Sequence, residues 1–115
     1  MKVAIIGSRT LPEEWVLPNL NFLFDEEYKG AQVISGGAIG VDTFVKKYCQ
    51  AWKIPLEEIS PIDPSNKLSY LFRNIEIITK ADKVIAFWDG KSKGTKFVID
   101  YCKARNKNLE IKERK

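Results

Sequence analysis

The chain contains no histidine, which removes the side chain that most often acts as general acid, general base or metal ligand near neutral pH. Cysteine is nearly as scarce. Cys49 and Cys102 cannot by themselves supply the four nitrogen or sulfur donors of a structural zinc site, so no metal is expected. Both lie on the apolar faces of predicted helices and read as reduced packing residues. Apolar runs stop well short of a membrane span. There is no internal repeat, no low-complexity segment and no linker. The stretch Met1 to Gly7 has one lysine and an apolar run too short for a signal-peptide core, so it serves better as a first strand. A cytoplasmic location is the expectation.

What remains is the composition of an ordinary soluble domain: 115 residues, 44% hydrophobic and 30% charged. That length supports one domain, residues 1–115, with a core able to fold unaided. A net charge of +4 favours polyanionic or phosphorylated partners, although the tail Lys112-Glu113-Arg114-Lys115 adds to it as a solvated run.

Strand-like runs fall at Val3 to Gly7, Gln32 to Ser35, Leu56 to Ile59, Lys83 to Trp88 and Leu109 to Ile111, with helical patterns between them. The first helix is announced by Thr10-x-x-Glu13, a capping box, and places Val16, Leu20, Leu23 and Phe24 on one face. Pro18 interrupts that pattern, which suggests a short turn and a fresh start there. In the second helix Phe44, Val45, Tyr48, Cys49 and Trp52 share a face. In the third the stripe is Leu68, Leu71, Phe72, Ile75 and Ile78. The fourth starts near Gly94 with Phe97, Val98, Tyr101 and Cys102 inward. Alternating strands and helices predict a parallel sheet of about five strands covered on both faces. Ligands bind such sheets at the carboxyl ends of the strands.

Three loops converge on that edge. Gly7-Ser8-Arg9 follows the first strand. Ser35-Gly36-Gly37-Ala38-Ile39-Gly40-Val41-Asp42 joins the second strand to the second helix, and its glycines expose backbone amides where the helix start adds partial positive charge. The turn is either a phosphate or carboxylate site, or a bare tight turn in which Asp42 merely starts the helix. Asp89 to Lys96 follows the fourth strand. There Gly94, Thr95 and Lys96 open a helix that offers a second anion site, against the alternative of a solvated lysine-rich turn. On the third helix Arg73 and Asn74 point away from the predicted stripe. Arginine's planar fork suits a phosphate and asparagine a ribose or base edge, while an ordinary surface pair is the plain alternative. Trp88 is placed either to stack on a base or to pack.

Taken together, Gly7-Ser8-Arg9, Ser35 to Asp42, Arg73-Asn74, Ala81 to Trp88 and Gly94-Thr95 resemble the SLOG superfamily. That group contains the DNA-processing protein DprA and the lonely-guy phosphoribohydrolases. The similarity runs nearly the whole chain and is nearest to small stand-alone members of the YspA/YpsA-related type. The resemblance implies a Rossmann-like three-layer α/β fold and a nucleotide-derived ligand held at the glycine turns, with no other cofactor and, in many relatives, a homodimer. It implies that Arg9 meets a phosphate, that Gly36 to Gly40 offer amides, that Arg73 and Asn74 line the pocket, and that Gly94-Thr95 takes a further phosphate or ribose. One departure concerns chemistry. The lonely-guy motif Pro-Gly-Gly-x-Gly-Thr-x-x-Glu ends in a catalytic glutamate, and here that position is Val98.

These residues suggest, first, the binding of an adenosine phosphate, an ADP-ribose derivative or a similar nucleotide for sensing or sequestration. A first alternative is an N-glycosidic hydrolase that draws a carboxylate from Asp42, Asp89 or Asp100. A second is DprA-like binding of single-stranded DNA, although no run of aromatics interleaved with basic residues marks a single-strand groove. Phe22, opposite Phe24, leaves apolar surface for a dimer.

Overall fold

A computed structural model describes all residues, Met1–Lys115. In chain order the elements are β1 (Lys2–Gly7), α1 (Glu13–Phe22) running into a π-helical turn (Leu23–Glu27), β2 (Gln32–Ser35), α2 (Val41–Trp52), β3 (Leu56–Glu58), α3 (Lys67–Lys80), β4 (Lys83–Trp88), α4 (Lys93–Ala104) and β5 (Leu109–Glu113). The five strands form one sheet in the order β3-β2-β1-β4-β5, and every pairing is parallel. The expected α/β three-layer fold is therefore the observed one.

Side-chain alternation along the strands divides the core into two layers. Val3, Ile5, Val33, Ile85 and Phe87 pack with α1 and α2, through Val16, Leu20, Val41, Val45 and Cys49. Ala4, Ile34 and Val84 face the other way, onto Ile77 and Ile78 of α3 and Val98 and Cys102 of α4. The two thiols thus lie on opposite faces of the sheet and are free. Burial raises both, Cys49 to about 11, so neither is a ready nucleophile. From β1 the chain crosses to β2 over one face and reaches β4 over the other. β1 and β4 therefore flank the point where the connections diverge, and the carboxyl edge opens between them.

Several local expectations give way to tertiary context. Thr10 does not cap α1. The helix starts after Pro12, whose φ of −77° suits that position, and no side chain caps it. The helix then continues through Pro18. Pro18 lies exposed in mid-helix, where it forfeits a hydrogen bond, and packing of Val16 and Leu20 on both sides of it retains the geometry. The closing π-helical turn carries Leu23 and Phe24 into the core. Trp52, in the last turn of α2, is 65% exposed and rests against Tyr48. Only the end of the predicted stripe of α3 faces inward: Ile78 is buried with Ile77 and Asn74, while Leu68 and Phe72 are more than half exposed. The early turns of α3 lie over the open carboxyl edge instead of over core, so polar residues face inward there. Asn66 caps α3 by accepting from the Leu68 amide at 2.9 Å. Replacing it with alanine should cost about 1 kcal/mol, read as a fall of roughly 4 °C in the thermal midpoint.

Candidate functional site

A cleft of about 580 Å³ opens at the carboxyl ends of β1, β2 and β4. Its frame is buried and hydrogen-bonded. The Ser8 amide donates to the Phe87 carbonyl at 2.9 Å, tying the end of β1 to β4. The Ser8 hydroxyl accepts from the Asp89 amide at 3.2 Å and lies 3.3 Å from the Thr95 hydroxyl, which brings in α4. Gly7 is needed because α2 presses on the end of β1: a Cβ there would sit 2.5 Å from the Val41 side chain.

The glycine turn after β2 forms one wall. Gly40 is the residue before α2, at φ 91°, a region that side chains disfavour. A Cβ on it would lie 2.8 Å from the Arg9 Cα. Arg73 reaches across from α3 and donates Nη1 to the Gly36 carbonyl at 2.7 Å and Nε to Asn74 Oδ1 at 2.9 Å. The pair therefore braces the turn. It does not stand free on the surface, and Asn74 is buried. Asp42, in the first turn of α2, accepts from the Ala38 amide at 3.0 Å through one carboxyl oxygen. The other, Oδ1, and the Ser35 hydroxyl are both sealed from solvent, and the Ser35 hydroxyl helps to hold the carboxylate. Burial raises the Asp42 pKa, against the opposing pull of the Ala38 amide, the Arg73 charge and the Ser35 hydroxyl.

The loop after β4 forms the opposite wall. Asp89 accepts from the amides of Lys91 and Ser92 at 2.8 and 2.7 Å and from the Thr10 hydroxyl at 2.5 Å. These hydrogen bonds, Thr10 first, lower its pKa to about 2. The Ser92 hydroxyl caps α4 by accepting from the Thr95 amide at 3.4 Å. The first-turn amides of Lys93 and Gly94 have no acceptor within the chain. A Cβ on Gly94 would meet nothing within 4 Å, so this backbone faces open space. Arg9 and Lys91, both exposed, line the same cleft. The wall can therefore hold an anion with open amides, a helix start and two exposed cations.

Because the folded-state pKa of Asp89 is depressed, its hydrogen bonds stabilise the fold fully above the unfolded carboxylate value. That contribution is lost as pH falls toward about 2. Asp89→Asn should accordingly be less stable than wild type at neutral pH, with the gap closing between about pH 4 and 2 in acid titrations followed by circular dichroism.

Of the residues singled out from sequence, Gly7, Arg9, Gly36, Ala38, Asp42, Arg73, Asn74, Gly94 and Thr95 line the cleft. Ser8, Ser35, Gly37 and Gly40 shape it from behind. Trp88 and Lys96 are outside it. The Trp88 indole donates to the Ser92 carbonyl at 3.1 Å, bracing the loop instead of offering a ring to a base, and Lys96 pairs with Asp100 at 2.7 Å on the surface. Tyr70 also lines the cleft without a signal in the sequence, as do Thr10, read there only as a cap, and Lys91 and Ser92, read only as part of the loop after β4. The Asp89-x-Lys91-Ser92 spacing, which suits an Asx turn capping α4, was the available signal. Val98, at the position of the lonely-guy glutamate, is fully buried on the inner face of α4. No helix is long and apolar enough to cross a membrane.

No protein-family model and no curated protein matches the sequence. A solved structure does: DNA processing protein A (DprA) from Helicobacter pylori, at TM-score 0.75 and 25% identity over 96% of this chain. The fold is DprA-like. The match spans 64% of the H. pylori chain. The H. pylori protein has a single-stranded DNA binding mode. The likeness supports the DprA-like Rossmann fold and does not single out the YspA type.

Proposed function

We propose that the chain is a single DNA-binding domain, and that its cleft takes the phosphates of single-stranded DNA. The open amides of Lys93 and Gly94 hold one phosphate, with Arg9 and Lys91 closing over it. The observation that carries this reading is the match of nearly the whole chain to a protein that binds single-stranded DNA, on a fold that collects its unpaired amides and cations in one cleft. This ranks above the small-molecule reading that the sequence first suggested. The Gly94→Ala variant tests it. Alanine suits a helix turn better than glycine, so stability should hold or rise slightly. The added methyl fills the space a phosphate oxygen would occupy, and the affinity for a labelled 12-mer in fluorescence anisotropy should fall about tenfold, roughly one lost charge-assisted hydrogen bond. Unchanged affinity would sink the assignment of this wall.

The second reading is a nucleotide-derived small molecule. It is favoured by the cleft volume of about 580 Å³, which falls within the usual range for small ligands. Hydrolysis draws less support. Asp89 is held ionised by three donors, Asp100 is paired with Lys96 on the surface, and Asp42 faces no second acid or base among the residues lining the cleft except Asp89. A homodimer remains part of the proposal. Leu68 and Phe72, exposed beside Ile62, offer the apolar surface.

A further inference from the structure

The positive charge of the chain is unevenly spread. From Lys91 to Lys115 there are nine lysines and arginines against three acids, whereas residues 1–90 hold ten against twelve. The excess therefore sits on α4, β5 and the residues around them, at one edge of the sheet. Sequence alone makes the last four residues a solvated run, yet their backbone is held. β5 extends to Glu113, which pairs with Trp88, and the Arg114 amide donates to the Trp88 carbonyl at 3.0 Å. Arg114 is thus fixed beside the loop after β4, one strand spacing, about 4.8 Å, farther along the carboxyl edge.

A second hollow, of about 620 Å³, lies at this place. Thr10, Asp89 and Lys91 line both it and the cleft, so the two adjoin. Glu113, Arg114 and Lys115 form its far side. Strand alternation sets the direction of Arg114. Glu110, which accepts from the Tyr28 hydroxyl, and Lys112, which lies over the Phe22 ring, face the α1 layer. Arg114 shares their parity and so turns toward the β1–α1 loop that carries Thr10. Of the two acids in the hollow, Asp89 is already engaged by three donors, and Glu113 Oε2 rests against Gly90. Arg114 and Lys115 are exposed and pair with no carboxylate within 4 Å, which leaves both charges open to an anion.

We propose that single-stranded DNA leaves the cleft over the loop after β4 and lays further phosphates against Arg114 and Lys115, so that the binding track runs from the start of α4 to the end of β5. This rests on the phosphate reading of the cleft, which supplies the first contact, and Lys91 stands at the junction of the two hollows. No aromatic ring lines the second hollow, so it offers nothing for a base to stack on. It meets the backbone alone, and backbone contacts carry no sequence information.

The test titrates labelled dT and dC 12-mers at several salt concentrations into wild type, Arg114→Gln, Lys115→Gln, Gly94→Ala and Lys103→Gln. Lys103 is an exposed lysine without an ion pair at the far end of α4, outside both hollows, and its variant measures diffuse attraction. Arg114→Gln and Lys115→Gln should each bind both 12-mers about fivefold more weakly at 0.1 M salt, with the slope of log affinity against log salt shallower by about 0.7. Lys103→Gln should lose less than about twofold, and the thermal midpoints of the three charge variants should match wild type. If Gly94→Ala weakens binding while Arg114→Gln and Lys115→Gln leave affinity and salt slope as in wild type, the cleft reading stands and the extended track is overturned. An equal loss in Lys103→Gln overturns it too, as a general charge effect, and so does a loss confined to one of the two 12-mers. If neither 12-mer binds wild type, the phosphate reading of the cleft fails and takes this extension with it.

Discussion

Gly40→Ala is expected to lose about 3 kcal/mol of stability, with a thermal midpoint lower by roughly 10 °C. Two costs combine. At φ 91° an alanine is strained, on the order of 1–2 kcal/mol. Its Cβ would also lie 2.8 Å from the Arg9 Cα and 2.9 Å from the Arg9 carbonyl oxygen, and backbone cannot rotate away as a side chain can. Relief requires the Gly36–Gly40 turn to separate from the Gly7–Arg9 loop, which would widen the cleft. The variant should thus lose oligonucleotide affinity along with stability. A midpoint within 2 °C of wild type in calorimetry would show that these two loops are not in the contact described.

The double variant Arg9→Ala, Lys91→Ala is expected to bind single-stranded DNA about 25-fold more weakly at 0.1 M salt. Each phosphate contact on a single strand releases about 0.7 counterion, which at that salt concentration is worth roughly a factor of 5. Two contacts multiply. The same reasoning fixes a second readout: the slope of log affinity against log salt should become shallower by about 1.4. Both side chains are exposed and make no ion pair within 4 Å, so melting should change little. A loss of affinity with an unaltered salt slope would mean that the two cations act through structure, not through phosphates.

How much of this was legible in the sequence depended on whether the signal was local. β2 and β4 were placed to the residue, because short buried apolar runs bounded by glycine or polar residues have few alternatives. The glycine turn was legible because Gly40, at φ 91°, records a backbone requirement; Gly94 carries none, since a Cβ there meets nothing within 4 Å. α3 was misread because hydrophobic periodicity presumes a core beneath every turn. Its first turns project beyond the sheet, so Leu68 and Phe72 face solvent while Arg73 and Asn74 turn inward to brace Gly36. Trp88 and Thr10 failed for a related reason. Their partners, Ser92 and Asp89, were chosen by loop closure, which residue type does not encode.

The central claim is that single-stranded DNA enters the cleft and meets the start of α4. It is tested most directly by titrating a 12-mer into 15N-labelled protein and following amide shifts. The amides of Lys93 and Gly94 should move furthest, followed by those of the Gly36–Gly40 turn. An oligomer that binds while leaving these amides in place, or that shifts only the basic surface away from the cleft, would contradict the account.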